Sequence, residues 1–374
     1  MSGEAGDSPG LDPVFDRTAP ARSDWGRRSP ERLNGAHSAV PGGDRGGPTY
    51  AALDLGTNNC RLLVARPAGD GFRVVDAFSR IIRLGEGVSS SGRISDAAIA
   101  RAIAALAICR NKMRNRGVTR ARLIATEACR AAANGEEFRS LVADELGLEL
   151  EVIDRETEAT LAATGCTPLI DPQAEGVVLF DIGGGSSELV RLKRSQKAGG
   201  GPPLPQIAGW ISLPHGVVTL AERHGGFNVS RETYEAMVCE VAEIIAPFAR
   251  EHGGVTGIHM LGTSGTVTTV AGVHLNLKRY DRNRVDGCWM NEHEVDAVIE
   301  RLLAMSYDDR VASPCIGPER ADLVLAGCAI LEAIRRAFPC PRLRVADRGL
   351  REGMLVQMMR DDGVWSGGSQ VAAS

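Results

Sequence analysis

The spacing of apolar and polar positions along this chain becomes regular only after Thr49. Residues 50–53 and 61–66 then read as two short strands around the turn-rich Asp54-Leu55-Gly56-Thr57-Asn58-Asn59, with a third strand near 72–78. Ser95 stands as an N-cap to a long amphipathic helix over 96–113, which Gly117 ends. Residues 123–125 predict a buried strand leading into a helix at 127–133, and 150–153 another strand ahead of a helix carrying Glu158 and Leu161. The plan then restarts: a strand over 177–180, the turn Asp181-Ile182-Gly183-Gly184-Gly185-Ser186-Ser187, and a strand over 188–192. Asp54 and Asp181 stand 127 residues apart. That separation is one domain length, which predicts an internal duplication.

Beyond it, 193–209 reads as an elongated hairpin tip. A helix from Ser230 puts Met237, Val241, Ile244, Ile245 and Phe248 on one core-facing stripe. Residues 259–261 predict a strand delivering a third glycine turn, Gly262-Thr263-Ser264-Gly265-Thr266, and Asn291 with Glu294 forms a capping box. The helix after Pro318 buries Leu323, Ile330, Leu331 and Ile334. A last strand at 343–346 precedes Asp347-Arg348-Gly349 and a short helix to about 359. Residues 1–48 lack this order: 15 of the 48 are Gly or Pro, too few apolar groups remain to offset ordering entropy, and a disordered tail is expected, with a frayed end at 361–374.

Composition narrows the function classes. No apolar run reaches the roughly 20 residues that span a bilayer, which excludes a membrane protein. With 43 Lys+Arg against 47 Asp+Glu, the net charge of −4 argues against a nucleic-acid binder. Nine cysteines lie singly, with no C-x-x-C pair; this suits a reduced, cytoplasmic setting without a structural metal.

The chemistry concentrates in the two Asp-x-Gly turns. A carboxylate at a strand end can hold Mg²⁺ directly or through water, since this hard cation takes few protein oxygens. Glycines after it let backbone N–H groups converge on a phosphate. Gly56, Thr57, Asn58 and Asn59 in one turn, and Gly183, Gly184, Gly185, Ser186 and Ser187 in the other, make a candidate clamp, with Asp54 and Asp181 as its metal-associated carboxylates. Gly262, Thr263, Ser264, Gly265 and Thr266 add a third turn. Glu158, just past a strand, could serve as general base on water, or else complement the helix macrodipole with Glu156. Arg130 could hold a phosphate through bidentate bonds, or be a plain helix-surface arginine. Lys278, Arg279, Arg282 and Arg284 put four cations in seven positions, a track for a polyanion or a solvated face.

Taken together, the two Asp-Gly loops in this order, Glu158-Ala159, Ser212-Leu213-Pro214-His215-Gly216, the third turn, Arg279-Tyr280-Asp281, and the Asp347-Arg348-Gly349-Leu350-Arg351-Glu352-Gly353 stretch resemble the Ppx/GppA phosphatases. These are exopolyphosphatases and guanosine pentaphosphate phosphohydrolases of the actin/sugar-kinase/Hsp70 superfamily. The resemblance implies an α/β fold of two ribonuclease-H-like domains, each with a mixed five-stranded sheet, flanking a cleft: domain I over 49–172, domain II over 173–349, and a final helix at about 350–360 returning to domain I. It implies Glu158 as the catalytic glutamate, Asp181, Glu188 and Asp54 as Mg²⁺-associated acids, and Arg130 as a phosphate ligand. It implies polyphosphate or pppGpp as substrate and allows a homodimer. Where the family often has Gly-x-Glu-Glu-Ala-Arg, this chain has Arg155-Glu156-Thr157-Glu158-Ala159-Thr160, and His215 replaces a small or apolar residue. The expectation is Mg²⁺-dependent release of orthophosphate from polyphosphate. Hydrolysis of pppGpp, a kinase of the same superfamily, and a non-catalytic polyphosphate or alarmone sensor are the competing readings.

Overall fold

Two glycine-turned hairpins organise the protein. The computed structural model describes residues 47–193, 201–254 and 256–365, so the readings of most of 1–48, of the tip at 194–200 and of 366–374 lie outside the described residues. The first sheet contains β1 (Tyr50–Leu55), β2 (Asn59–Ala68), β3 (Gly71–Ile81), β4 (Arg120–Ala125) and β5 (Glu151–Val152), in the order β3-β2-β1-β4-β5. The second contains β6 (Gly176–Ile182), β7 (Ser187–Lys193), β8 (Gln206–Leu213), β9 (Ile258–Thr263), β10 (Trp289–Asn291) and β11 (Arg342–Ala346), in the order β10-β11-β9-β6-β7-β8. In both, the leading hairpin is antiparallel and its first strand pairs in parallel with the next strand, β4 or β9. This is the ribonuclease-H-like plan, twice. The second sheet departs from the expected five strands because Trp289–Asn291 adds an antiparallel edge to β11.

Strand alternation decides where the two aspartates go. Along β1, Ala51, Leu53 and Leu55 pack with Leu106 and Cys109 of the helix Asp96–Asn115. The intervening Tyr50 and Ala52 pack against Leu161 and the C-terminal helix Leu350–Asp361, through Met354 and Leu355. Along β6, Val178, Phe180 and Ile182 enter the large core, while Val177 and Leu179 meet Ala159, Ala163 and Cys166 of the helix Arg155–Cys166. Asp54 and Asp181 follow the second phase in each strand. Both therefore lie on sheet faces that turn toward the helix Arg155–Cys166, against which the C-terminal helix packs.

Those two helices approach closely because each offers glycine. A methyl group on Gly165 would lie 1.9 Å from the Gly349 carbonyl oxygen, and one on Gly353 2.0 Å from that of Leu161. Neither neighbour is a side chain that could swing away. Gly353→Ala is therefore expected to destabilise the protein by about 1–3 kcal/mol, as overpacking does; thermal or denaturant unfolding would detect it.

Further contacts link the segment after β3 to the second half of the chain. Arg83, held at φ 46°, forms a two-pronged pair with Asp322 (2.8 and 2.9 Å). Glu222 on the helix Val217–His224 accepts from the Gly87 amide (2.8 Å) and the Ser89 hydroxyl. All these residues belong to one compact unit, Gly46–Ser374. Among the described residues, no helix is long and apolar enough to cross a membrane.

Candidate active site

The first turn is tied from outside the hairpin. Gly56 N–H donates to the Asn59 carbonyl across it (2.9 Å), while the Asn58 carbonyl accepts from Ile82 and Arg83 and that of Thr57 from Gly85. The second is closed by Gly183 N–H on the Ser186 carbonyl (3.0 Å). Its Gly183 and Gly184 carbonyls cap the amides of Val217 and Val218, which begin the helix Val217–His224. In both turns, then, these carbonyls are occupied and the neighbouring amides are not. Those of Thr57, Asn58, Gly184, Gly185 and Ser186 have no hydrogen-bond acceptor among the described residues. The two turns also touch: a methyl group on Gly184 would lie 2.9 Å from Thr57 Cβ, and one on Gly185 2.7 Å from Thr57 Oγ1. Five free N–H groups on two turns that meet favour an anion.

The acids converge beside them. Burial pushes Asp54 up to about 6, assisted by Asp181 and opposed by Arg61. Burial, together with the facing Asp181, pushes Glu188 up to about 7, although the Ser186 and Ser212 hydroxyls donate to its carboxylate (2.9 and 3.0 Å). Asp181 is raised by burial, offset in part by the nearby Ser264 side chain and by Arg61. Glu158 is raised well above the usual glutamate range, first by burial and then by Glu188, Asp181 and Asp54. Residues 54, 158, 181 and 188, scattered along the sequence, thus lie within electrostatic reach of one another.

The duplication explains their imbalance. Arg61 is to Asp54 what Glu188 is to Asp181, since each faces its aspartate across the antiparallel hairpin. One copy carries a cation there and the other an acid, so the negative charge collects on the second turn.

The cluster fits a hydrated Mg²⁺ better than a directly caged ion. Among the described residues, no three His, Cys, Asp or Glu side chains stand close enough to ligate one metal. Mg²⁺ keeps several waters and needs only one or two carboxylates. The oxygens Asn58 Oδ1 and Asn59 Oδ1, buried without a partner, add acceptors at the same turn.

Residues 63–362 match the model of the Ppx/GppA phosphatase family. The chain belongs to this family. Exopolyphosphatase 2 of Mycobacterium tuberculosis is 28% identical over 324 residues, covering 82% of this chain and 98% of that relative. The crystal structure of the Aquifex aeolicus member of the Ppx/GppA family superposes with a TM-score of 0.70 at 27% identity, covering 84% of this chain and 98% of that one. That of an exopolyphosphatase-like protein does so at 0.74 and 30% identity, with the same coverage. The chain is accordingly a phosphoanhydride hydrolase.

Within this Ppx/GppA protein, the other sequence-predicted residues divide. Arg130 lies beside Glu158, Nη2 to Oε2 at 3.3 Å. In the third turn, the helix Ser264–His274 begins inside the predicted motif, with Ser264 at φ 74°. Thr263 spends its hydroxyl on the Arg348 carbonyl (2.6 Å), Thr266 packs against Gly327, and Ser187 donates to the His215 carbonyl (2.7 Å). Lys278, Arg279 and Arg284 are exposed, whereas Arg282 turns inward to Glu352 (3.0 Å) and the Asp347 carbonyl (2.5 Å).

Sequence reasoning missed four residues. Arg61, Arg320 and Arg351 stand near enough for Arg61 to oppose the charge of the other two, and burial disfavours both of those charges further. Among the described residues the Arg320 guanidinium makes one hydrogen bond, to Thr269 Oγ1 (3.3 Å), and it would lie 3.7 Å from a methyl group on Gly265. Arg61 could have been found, since it faces Asp54 in the hairpin; nothing local marks Arg320. The fourth is Glu127, beside Arg130.

Proposed function

We propose that the protein is an exopolyphosphatase that removes the terminal phosphate of inorganic polyphosphate as orthophosphate, with Mg²⁺. The observation that carries this reading is the pairing of a carboxylate cluster with turn amides that have no acceptor, and with the arginines Arg61 and Arg320, which have no ion-paired acid, among the described residues. Polyanion oxygens would be held by the amides of the two turns and by Arg61 and Arg320. Water attacks the terminal phosphorus, its proton passing to Glu158 as the new P–O bond forms. The phosphoanhydride P–O bond breaks in line, leaving the negative charge on the shortened chain. Asp54, Asp181 and Glu188 would hold the metal, mainly through water. The chemistry Mg²⁺ supplies when bound is neutralisation of charge on the phosphate oxygens. A raised proton affinity suits Glu158 to the role of base, because a carboxylate at its ordinary value would hold the proton too weakly near neutral pH.

The test is orthophosphate release from defined-length polyphosphate and from pppGpp, each with and without Mg²⁺. Faster turnover of polyphosphate supports the proposal; turnover of pppGpp alone would assign the alarmone instead, and tight binding without release would make the protein a sensor. The exposed cations Lys278, Arg279 and Arg284 make a path for the rest of the chain. Replacing all three with Ala is expected to raise KM for long chains by about 10-fold, to leave short chains nearly unaffected, and to flatten the salt dependence, as lost surface charge does. Steady-state kinetics across chain lengths and salt concentrations would measure this.

A further inference from the structure

Arg130 is shared by two carboxylates, unequally. Its Nε and Nη2 both reach Glu127 Oε2, at 3.0 and 2.5 Å, and its Nη1 donates to the Ile153 carbonyl at 2.6 Å. Glu158 receives a single longer contact of 3.3 Å. The strong, forked bond of this guanidinium therefore goes to Glu127 and not to the candidate base. Glu127 is itself braced: Arg155 Nη2 donates to its Oε1 at 3.0 Å and to its Oε2 at 3.2 Å. Its side chain is only 15% exposed, and its Cγ would lie 3.0 Å from a methyl group on Gly185, in the opposite turn.

From this arrangement we infer that Glu127, held by Arg155, is a positioning residue for hydrolysis. It anchors Arg130 so that the guanidinium cannot close a two-pronged pair on Glu158. Such a pair would engage both oxygens of the base in charge-assisted hydrogen bonds and oppose protonation. With Arg130 committed elsewhere, Glu158 keeps an oxygen for water. Arg155 touches neither Arg130 nor Glu158 in the hydrogen-bond pattern, so it acts through Glu127 alone. The inference rests on the assignment of Glu158 as base.

The test uses the full chain with Glu127→Gln, Arg155→Ala and the double variant, each checked for an unchanged fold by circular dichroism and unfolding temperature. The readout is kcat and KM for orthophosphate release from polyphosphate. Glu127→Gln is expected to lower kcat by about 10- to 100-fold, the usual cost of losing an orienting partner, with KM changing far less. Arg155→Ala is expected to lower kcat less, and the double variant to match Glu127→Gln within about twofold, because the two residues act as one unit. A folded Glu127→Gln protein with parental kcat, or losses that multiply in the double variant, would overturn the inference. Should Glu127→Gln not fold, Arg155→Ala decides: reduced kcat at parental KM, restored in part by Arg155→Lys, supports it, and unchanged kcat refutes it. A parent protein that releases no orthophosphate would overturn the exopolyphosphatase reading first, whereas an active parent with indifferent variants sinks only this inference.

Discussion

Glu158→Gln is expected to cut kcat for orthophosphate release from polyphosphate by about 10²- to 10⁴-fold, the usual contribution of a positioned general base. Glutamine keeps the shape and can still accept from Arg130, which Glu127 and the Ile153 carbonyl hold in place. What it loses is the capacity to take a proton. The same substitution is expected to stabilise the fold. Glu158 is buried among Glu188, Asp181 and Asp54, all of which oppose its ionisation. At neutral pH its charge therefore costs folding energy that an amide does not. Activity should fall while the unfolding temperature at pH 8 rises, and that opposition separates a catalytic carboxylate from a structural one, whose loss lowers both. An active, folded Glu158→Gln protein would remove this residue from the mechanism.

The sequence made the hairpins legible because each couples strand alternation to a glycine turn, and the repeat at 127 residues doubles the signal. Caps were equally readable: Ser95 accepts from the Ala98 amide, and Asn291 and Glu294 exchange both bonds of the capping box. The helix Ser264–His274 was not visible. Its Ser-Gly-Thr-Val-Thr-Thr-Val run combines β-branched residues with glycine, which disfavour helix locally. Burial overrides that preference, for every residue from Thr266 to Val273 is buried. The edge strand Trp289–Asn291, at three residues, is too short to show periodicity.

At the site, legibility followed the same division. Asp54, Asp181 and Glu158 sit at strand ends or a helix start, places that a pattern can mark. Arg320 and Glu127 matter through partners 51 and 28 residues away, and no spacing rule carries that information. Arg282 illustrates the reverse error. Four cations in seven positions look alike in sequence, yet the buried Glu352 draws one of them inward.

Removing divalent metal should have the other large effect. Chelation is expected to abolish orthophosphate release, and added Mg²⁺ is expected to raise the unfolding temperature more at pH 8 than at pH 5. The sign follows from the acids. Asp54 at about 6 and Glu188 at about 7 lie above their ordinary values, so the folded state keeps protons that the unfolded chain releases between about pH 4 and 7. Stability associated with these groups is complete below pH 4 and is lost as pH rises through 6 and 7; for Asp54 alone the loss is on the order of 3 kcal/mol. A cation beside the ionised cluster offsets that loss, and at pH 5 protons already do so. With Mg²⁺ at 100 times its dissociation constant the gain would be about 2.7 kcal/mol at pH 8, several degrees in a protein of this size. Thermal unfolding at the two pH values, with and without Mg²⁺, measures the difference. Equal gains at both, or turnover that survives chelation, would separate the carboxylate cluster from metal binding and leave the turn amides and arginines as the whole of the anion site.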